Sequence, residues 1–236
     1  MTSEITLRLL RTAPHACGYW PERSVRNLVF DDSANAADSV FPQLLSAGFR
    51  RSGSVIYRPR CDACTACIPV RVPVAGFRPD RTQRRCLARN ADLEVTLEPS
   101  RNDDEVLALY SRYIDARHPG SGMSTDDAEE FAGMFLADWV DTRFVCIRAS
   151  AQLLAVAVTD VTPIGCSAVY TFFDPAPEHG ARSLGTFAIL AQLALARTLQ
   201  LPHLYLGYWL DQHPAMHYKH RFRPQQHLQP QGWMDA

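Results

Sequence analysis

Thr142-Arg-Phe-Val-Cys-Ile-Arg-Ala149, Leu153-Leu-Ala-Val-Ala-Val-Thr-Asp-Val161 and Ser167-Ala-Val-Tyr-Thr-Phe-Phe173 are three short runs rich in β-branched and aromatic residues, parted by Ser-Ala and Thr-Pro-Ile-Gly turns. Together they predict an antiparallel meander. An Ala/Leu-rich stretch over residues 183–199 then predicts a helix, and Pro202 separates it from a strand over 203–208. Three antiparallel strands, a central helix and one further strand make an α+β core.

Toward the N-terminus the elements are shorter. Residues 38–47 place Val40, Phe41, Leu44 and Leu45 at helical spacing and meet Gly48, a good residue just past a helix end. Residues 49–57 read as a strand, followed by a cysteine loop, a second strand over 68–74 and a helix from 81 to about 90. Asn102 reads as an N-cap, with Asp103, Asp104 and Glu105 in the first turn and Val106, Leu107, Leu109, Tyr110, Tyr113 and Ile114 as the apolar stripe of a helix ending near Arg117. Ser124 with Asp127 predicts another helix, its apolar face formed by Phe131, Met134 and Phe135. The chain thus divides into an N-terminal cysteine-containing region, 1–98, and a C-terminal domain, 99–236.

The 236 residues suit one large domain or two small ones, and 47% hydrophobic composition excludes a disordered chain. No apolar run reaches the roughly 20 residues of a spanning helix, and charge interrupts the first residues before a signal-peptide core accumulates. A cytoplasmic protein without a membrane partner is expected. Seven cysteines, an odd number, agree with a reducing compartment better than with a disulfide framework.

A net charge of −1 hides a segregation. Residues 47–89 hold ten arginines against Asp62 and Asp80, whereas 90–145 hold thirteen acids against four arginines. Such a basic segment is a footprint for a polyanion or, alternatively, a solvated arginine-rich surface. On a helix Arg81, Arg85 and Arg89 share a face, and with Arg78 and Arg84 they are the candidates for contacts to a nucleic-acid backbone. Among 24 basic residues Lys219 is the only lysine, and arginine cannot replace a compact ammonium of shiftable pKa.

Three constellations hold reactive or binding groups. Cys61-Asp-Ala-Cys64-Thr-Ala-Cys67 spaces three thiols by two residues, with Cys17 upstream. Such a set could hold zinc or an iron–sulfur cluster; the competing reading is reduced thiols packed in a turn, because no second Cys or His pair follows at zinc-finger distance. Arg182-Ser183-Leu184-Gly185 opens the long helix and reads as an anion site. Acetyl-CoA-dependent transferases use a related turn with a glycine where this chain has Phe187. Finally, Tyr205-Leu-Gly-Tyr208-Trp and Met216-His-Tyr-Lys219-His-Arg221-Phe-Arg-Pro224 interleave aromatics with cations, as stacking on bases and contact with phosphates require. No thiol adjoins these last two motifs in sequence, so the cysteines are expected to be dispensable for chemistry.

At these motifs the chain resembles the arginyl/leucyl-tRNA–protein transferase family, and its length resembles the bacterial leucyltransferase branch. Matching blocks include Gly48-Phe-Arg-Arg-Ser-Gly53, Tyr57-Arg-Pro, 64–71, Phe77-Arg-Pro, 170–175, Arg182-Ser-Leu-Gly185, Tyr205-Leu-Gly-Tyr208 and 216–224. The resemblance implies a C-terminal acetyltransferase-like (GNAT-like) domain that moves leucine from leucyl-tRNA to proteins with N-terminal Asp or Glu, creating a degradation signal. Tyr170 and Tyr208 fall in its blocks as substrate-binding candidates. Eukaryotic arginyltransferases have Cys-Gly-Tyr-Cys where this chain reads Cys17-Gly-Tyr-Trp20, so one of their metal-binding thiols is missing. An arginyl donor and an acyl-CoA-dependent N-acyltransferase are the alternative activities.

An aminoacyl ester is already activated, so transfer requires no cofactor; it requires alignment and oxyanion stabilisation. Arg182, Lys219 and Arg221 are candidates for the acidic side chain or the tRNA 3′ end. Asp160 and Asp174, at strand ends, are candidates for holding the incoming ammonium.

Overall fold

Alternation along the central apolar runs decides how the layers stack. A computed structural model describes residues 7–33, 35–120 and 127–236. In chain order the elements are β1 (Leu9–Arg11), β2 (His15–Ala16), β3 (Ser24–Val25), β4 (Asn27–Phe30), α1 (Ala37–Ser46), β5 (Arg50–Ser52), β6 (Val55–Pro59), β7 (Ile68–Pro73), α2 (Arg81–Arg89), β8 (Glu94–Pro99), α3 (Asp104–Arg117), α4 (Ala128–Phe135), β9 (Asp141–Ala149), β10 (Gln152–Thr162), β11 (Gly165–Phe173), α5 (Leu184–Thr198), β12 (His203–Trp209), α6 (Pro214–His217), β13 (Gln226–Gln229) and β14 (Gly232–Asp235). An eight-stranded sheet runs β14-β13-β7-β12-β11-β10-β9-β8 and a four-stranded one β1-β4-β6-β5.

β9, β10 and β11 form the expected antiparallel meander. β10 is buried on both faces: Ala157 turns its small side chain toward α5, while Val156 and Val158 turn toward α3 and α4. This period-2 division lets a helix pack close on one face and aromatic side chains fill the other, where Tyr110, Phe131, Phe135 and Phe172 meet edge-on or tilted. β7 and all but the last residue of β8 come from the first 98 residues yet hydrogen-bond into this same sheet, through β12 and β9 respectively.

Several local expectations are corrected. The strand expected over 49–57 is a hairpin, β5 and β6. Its turn requires Gly53: φ is +55°, and a Cβ there would lie 1.8 Å from the Gly133 carbonyl oxygen. The cap of α3 is Asp103, whose carboxylate accepts from the Val106 N–H, because Asn102 instead reaches the Ala128 carbonyl. Asp127 caps α4 by accepting from the Glu129 and Glu130 N–H groups, while Ser124 lies outside the described residues. β8 and the β13–β14 hairpin were not expected at all.

The small sheet is fastened to the large one by β5. Arg51 donates through Nε and Nη2 to the two carboxylate oxygens of Asp160 at 2.8 and 2.6 Å, and also to Thr142 Oγ1 and the carbonyls of Gly53 and Phe135. Both side chains are buried, and Thr142 adds a 3.0 Å bond to the same carboxylate. Removing one partner of such a pair strands a charge, which costs about 3–5 kcal/mol, whereas removing both can be nearly neutral. Arg51→Met should therefore lower unfolding stability by about that amount, and Arg51→Met with Asp160→Leu should recover most of it, as measured by urea denaturation.

Candidate active site

β11 and β12 run parallel and pair only at Cys166 with Leu204 and Ser167 with Tyr205; beyond these residues both strands continue without pairing each other. The backbone groups freed by this splay need partners. Arg50, 8% exposed, supplies them by donating to the carbonyls of Ala168 on β11 and Tyr205 on β12. The register shifts between Tyr205 and Gly207. Gly207 has φ +80°, and a Cβ on it would approach Arg50 Nε to 3.4 Å. Among the described residues no carboxylate lies within salt-bridge distance of Arg50, so a cation without a carboxylate partner is built in between β11 and β12.

The splay opens a cleft of about 430 Å³. Val169, Tyr170, Phe173, Ile189 and Leu206 give it apolar walls, Gly185 and Thr186 at the start of α5 border it, and Tyr113 and His118 close it from α3. Lys219 lines it, 8% exposed, with Nζ donating 2.8 Å to the Tyr208 carbonyl. Burial, aided by the Arg50 charge, lowers the Lys219 ammonium from 10.5 to about 7. Amine and ammonium are thus both populated near neutrality.

A second cleft, about 680 Å³, shares Tyr170 and His118 with the first. Its walls include Cys17, Cys61, Cys64, Cys67, Tyr19, Trp20, Tyr57 and Tyr208. Burial pushes the Cys67 thiol up to about 12, and the neighbouring Cys17, Cys61 and Cys64 add to the shift. Tyr208 is buried with its hydroxyl donating 3.0 Å to the Gly48 carbonyl, and burial raises its pKa.

With this geometry in view, two family models account for most of the chain: arginine-tRNA-protein transferase, N terminus, over residues 15–85, and the C terminus of the same description over 105–229. The chain belongs to the arginine-tRNA–protein transferase family. It is 50% identical to a protein named aspartate/glutamate leucyltransferase in Stenotrophomonas maltophilia (strain K279a), covering 97% of this chain and 93% of that one. A protein of the same name in Xylella fastidiosa (strain M23) is 49% identical, with 92% and 87% covered. Among solved structures, FemX has a similar fold, with a TM-score of 0.50 at 10% identity over 86% of this chain and 69% of that one.

The residues singled out from this family member's sequence do not all converge. Lys219, Tyr170 and Gly185 line the first cleft, and Tyr208 lines the second. Asp174 lies at the rim of a 240 Å³ cavity beside Ser183, Leu184 and Arg117, where it accepts from the Ala176 N–H and pairs with Arg112 at 3.4 Å. Asp160 is not exposed to substrate, since Arg51 and Thr142 occupy its carboxylate. Arg182 is likewise displaced from the α5 start. A 3-10 turn over Pro177–Arg182 and a left-handed Ser183 (φ +55°) direct it to Asp92, with bonds of 2.8 and 2.9 Å. Arg221 is exposed outside both clefts, and its carbonyl accepts from Gln83.

The thiols, distant in sequence from the transfer motifs, border a cleft that adjoins the one lined by Lys219. Four thiols are a suitable donor set for zinc or an iron–sulfur cluster. Among the described residues, however, no three Cys, His, Asp or Glu side chains converge enough to hold a metal. As placed they form a cleft wall and not a ligand set. Composition groups Arg50 and Arg51 with the surface charges of the basic segment, whereas both are buried.

A lysine whose folded pKa is depressed binds its proton more readily in the unfolded chain. The penalty of burying the Lys219 charge is fully present below about pH 7 and is relieved as pH rises toward 10.5. Measured stability of the unaltered protein relative to Lys219→Met should rise across this window; parallel pH curves would show that Lys219 titrates like an exposed lysine.

Proposed function

We propose that this protein transfers leucine from leucyl-tRNA to the α-amine of proteins beginning with Asp or Glu, the product serving as a degradation signal. The observation that supports this reading most directly is the pair of adjoining clefts meeting at Tyr170 and His118, one apolar and containing a titratable lysine. Transfer to an amine joins two substrates at one carbonyl, and two converging clefts allow each to approach it from its own side. The relatives' shared name supplies the donor and the acceptor residues. The fold is read as GNAT-like, on the meander, the central α5 and the β11–β12 splay.

In this reading the leucyl side chain occupies the apolar cleft. Lys219, as the amine, takes a proton from the acceptor ammonium; the freed amine attacks the ester carbonyl, the C–N bond forms and the C–O bond to the terminal ribose breaks. The Lys219 ammonium then returns its proton to the departing ribose oxygen, and the regenerated amine takes the second proton from the attacking nitrogen and releases it to water, leaving a neutral amide. Acetyl-CoA-type chemistry is not favoured, because Phe187 occupies the α5 position where a small residue would admit a pyrophosphate, and its side chain is buried in the core.

The tRNA body is proposed to lie along α2. Arg81, Arg84, Arg85 and Arg89 are exposed on this helix and Arg78 just before it. None pairs with a carboxylate among the described residues, whereas Arg11, Arg101, Arg148 and Arg182 all do. Gln83 ties α2 to the Arg221 carbonyl, so the unneutralised face continues toward the segment bearing Lys219.

Labelled leucine should appear on Asp- and Glu-starting peptides when leucyl-tRNA is the donor, and arginyl- and phenylalanyl-tRNA run in parallel should be poorer. Absence of transfer from leucyl-tRNA by folded protein would refute the assignment. Lys219→Met should lower transfer at least about tenfold, the equivalent of 1.36 kcal/mol, and Lys219→Arg should not restore it, since a guanidinium cannot give up its proton. Charge reversal at Arg81 and Arg85 should weaken tRNA binding and reduce its salt slope by about 0.9 for each lost duplex phosphate contact. An unchanged slope would remove α2 from the tRNA path.

A further inference from the structure

We infer that the thiol-walled cleft receives the N-terminus of the acceptor protein and that Arg23 is the cation that recognises its acidic side chain. The inference rests on the transfer reaction proposed above and assigns its second substrate a place.

The two clefts differ in the charge they offer. The splay cleft borders the first residues of α5 and has Lys219 at its floor. The other, at about 680 Å³, is large enough for a peptide end, and ligand clefts span roughly 300–1,000 Å³. Among the described residues lining it there is no Asp or Glu, and Arg23 is the one arginine or lysine. An acidic side chain entering here meets a cation and no carboxylate among the lining residues, the exposed Glu22 beside Arg23 lying outside the lining.

Arg23 is positioned for this task. Its guanidinium lies over the Trp20 ring at 4.1 Å, and Nη1 reaches Cys64 Sγ at 3.8 Å, a weak acceptor. Among the described residues the only carboxylate within 4 Å is that of its exposed neighbour Glu22, at 3.7 Å. Most of its donors therefore remain unspent, in the planar fork that binds a carboxylate through two bonds.

The wall bearing Arg23 is also fixed relative to the reacting centre. Arg23 closes the β2–β3 hairpin through backbone bonds with Cys17 and Trp20. His213, six residues before Lys219, approaches the Tyr19 carbonyl at 3.2 Å through Nε2, and its ring contacts those of Tyr19 and Trp20 edge-on. An acidic side chain held at Arg23 would thus sit at a set distance from the junction at Tyr170 and His118, where its own α-amine meets the ester.

The test is a steady-state comparison of Asp-, Glu- and Asn-starting peptides at fixed leucyl-tRNA, using the unaltered protein, Arg23→Gln and Arg23→Lys. Arg23→Gln should raise KM for the Asp peptide at least tenfold, bring the Asp-over-Asn preference close to one and leave KM for leucyl-tRNA unchanged; Arg23→Lys should keep part of the preference. A folded Arg23→Gln that still prefers Asp, or whose defect lies in KM for leucyl-tRNA, overturns the inference. A second readout needs no variant: an Asp-starting peptide, but neither an Asn-starting one nor leucyl-tRNA, should protect Arg23 from phenylglyoxal, followed by mass spectrometry. Equal modification with and without the Asp peptide overturns it. If the unaltered protein transfers leucine to no peptide, the transfer reading falls and this assignment with it, whereas transfer with Asp preference intact in Arg23→Gln sinks the assignment alone.

Discussion

Two adjacent arginines on β5 hold the architecture together by facing opposite ways. Successive residues of a strand point to opposite sides, so Arg51 enters the carboxylate of Asp160 on β10 while Arg50 enters the gap between β11 and β12. The first contact fastens the four-stranded sheet to the eight-stranded one. The second satisfies carbonyls that would otherwise face an apolar cleft unpaired. Without such a group those carbonyls would need water or strand pairing instead, and either would change the surroundings of Lys219.

The same guanidinium has an electrostatic consequence. Arg50 cannot be neutralised by proton loss at ordinary pH, and its charge reaches Lys219 through a poorly solvated interior. Burial is the larger cause of the lowered Lys219 pKa and the Arg50 charge adds to it, and the second cation relieves the cost by becoming neutral. A structural solution for the splayed strands thereby tunes the acid–base character of the cleft. Salt in solution would do little to this coupling, because both groups are buried.

Regular elements were legible where one physical rule dominated. The meander, α5, β12, α1 and α2 follow from periodicity and caps, and α2 has the reciprocal box in which Asp80 accepts from Gln83 N–H and Gln83 accepts from Asp80 N–H. β8 was missed because its residues are only partly buried and polar by composition, its strand character coming from pairing with β9. The site was less legible. Lys219 and Tyr170 were found through composition and resemblance, but Arg182 and Asp160 were assigned by sequence neighbourhood, which fails when a left-handed Ser183 redirects one and a distant Arg51 claims the other. The cysteine loop and Lys219 lie some 150 positions apart, and nothing local could announce that they border adjoining clefts.

Why a chain so biased toward arginine keeps its one lysine here follows from hydrogen-bond supply. At exposed positions a guanidinium is solvated by water and either residue serves. At the floor of the splay the acceptors are few: Arg50 uses the Ala168 and Tyr205 carbonyls, and the Tyr208 carbonyl remains for Lys219. A guanidinium has five N–H donors and stays charged, so most would be left unpaired beside a second permanent cation. An ammonium needs three partners and, once it gives up a proton, an amine donates only two. A group that can shed both a donor and its charge is the second cation this environment tolerates beside Arg50, and that property is also what transfer of a proton between an incoming amine and a departing ribose oxygen requires.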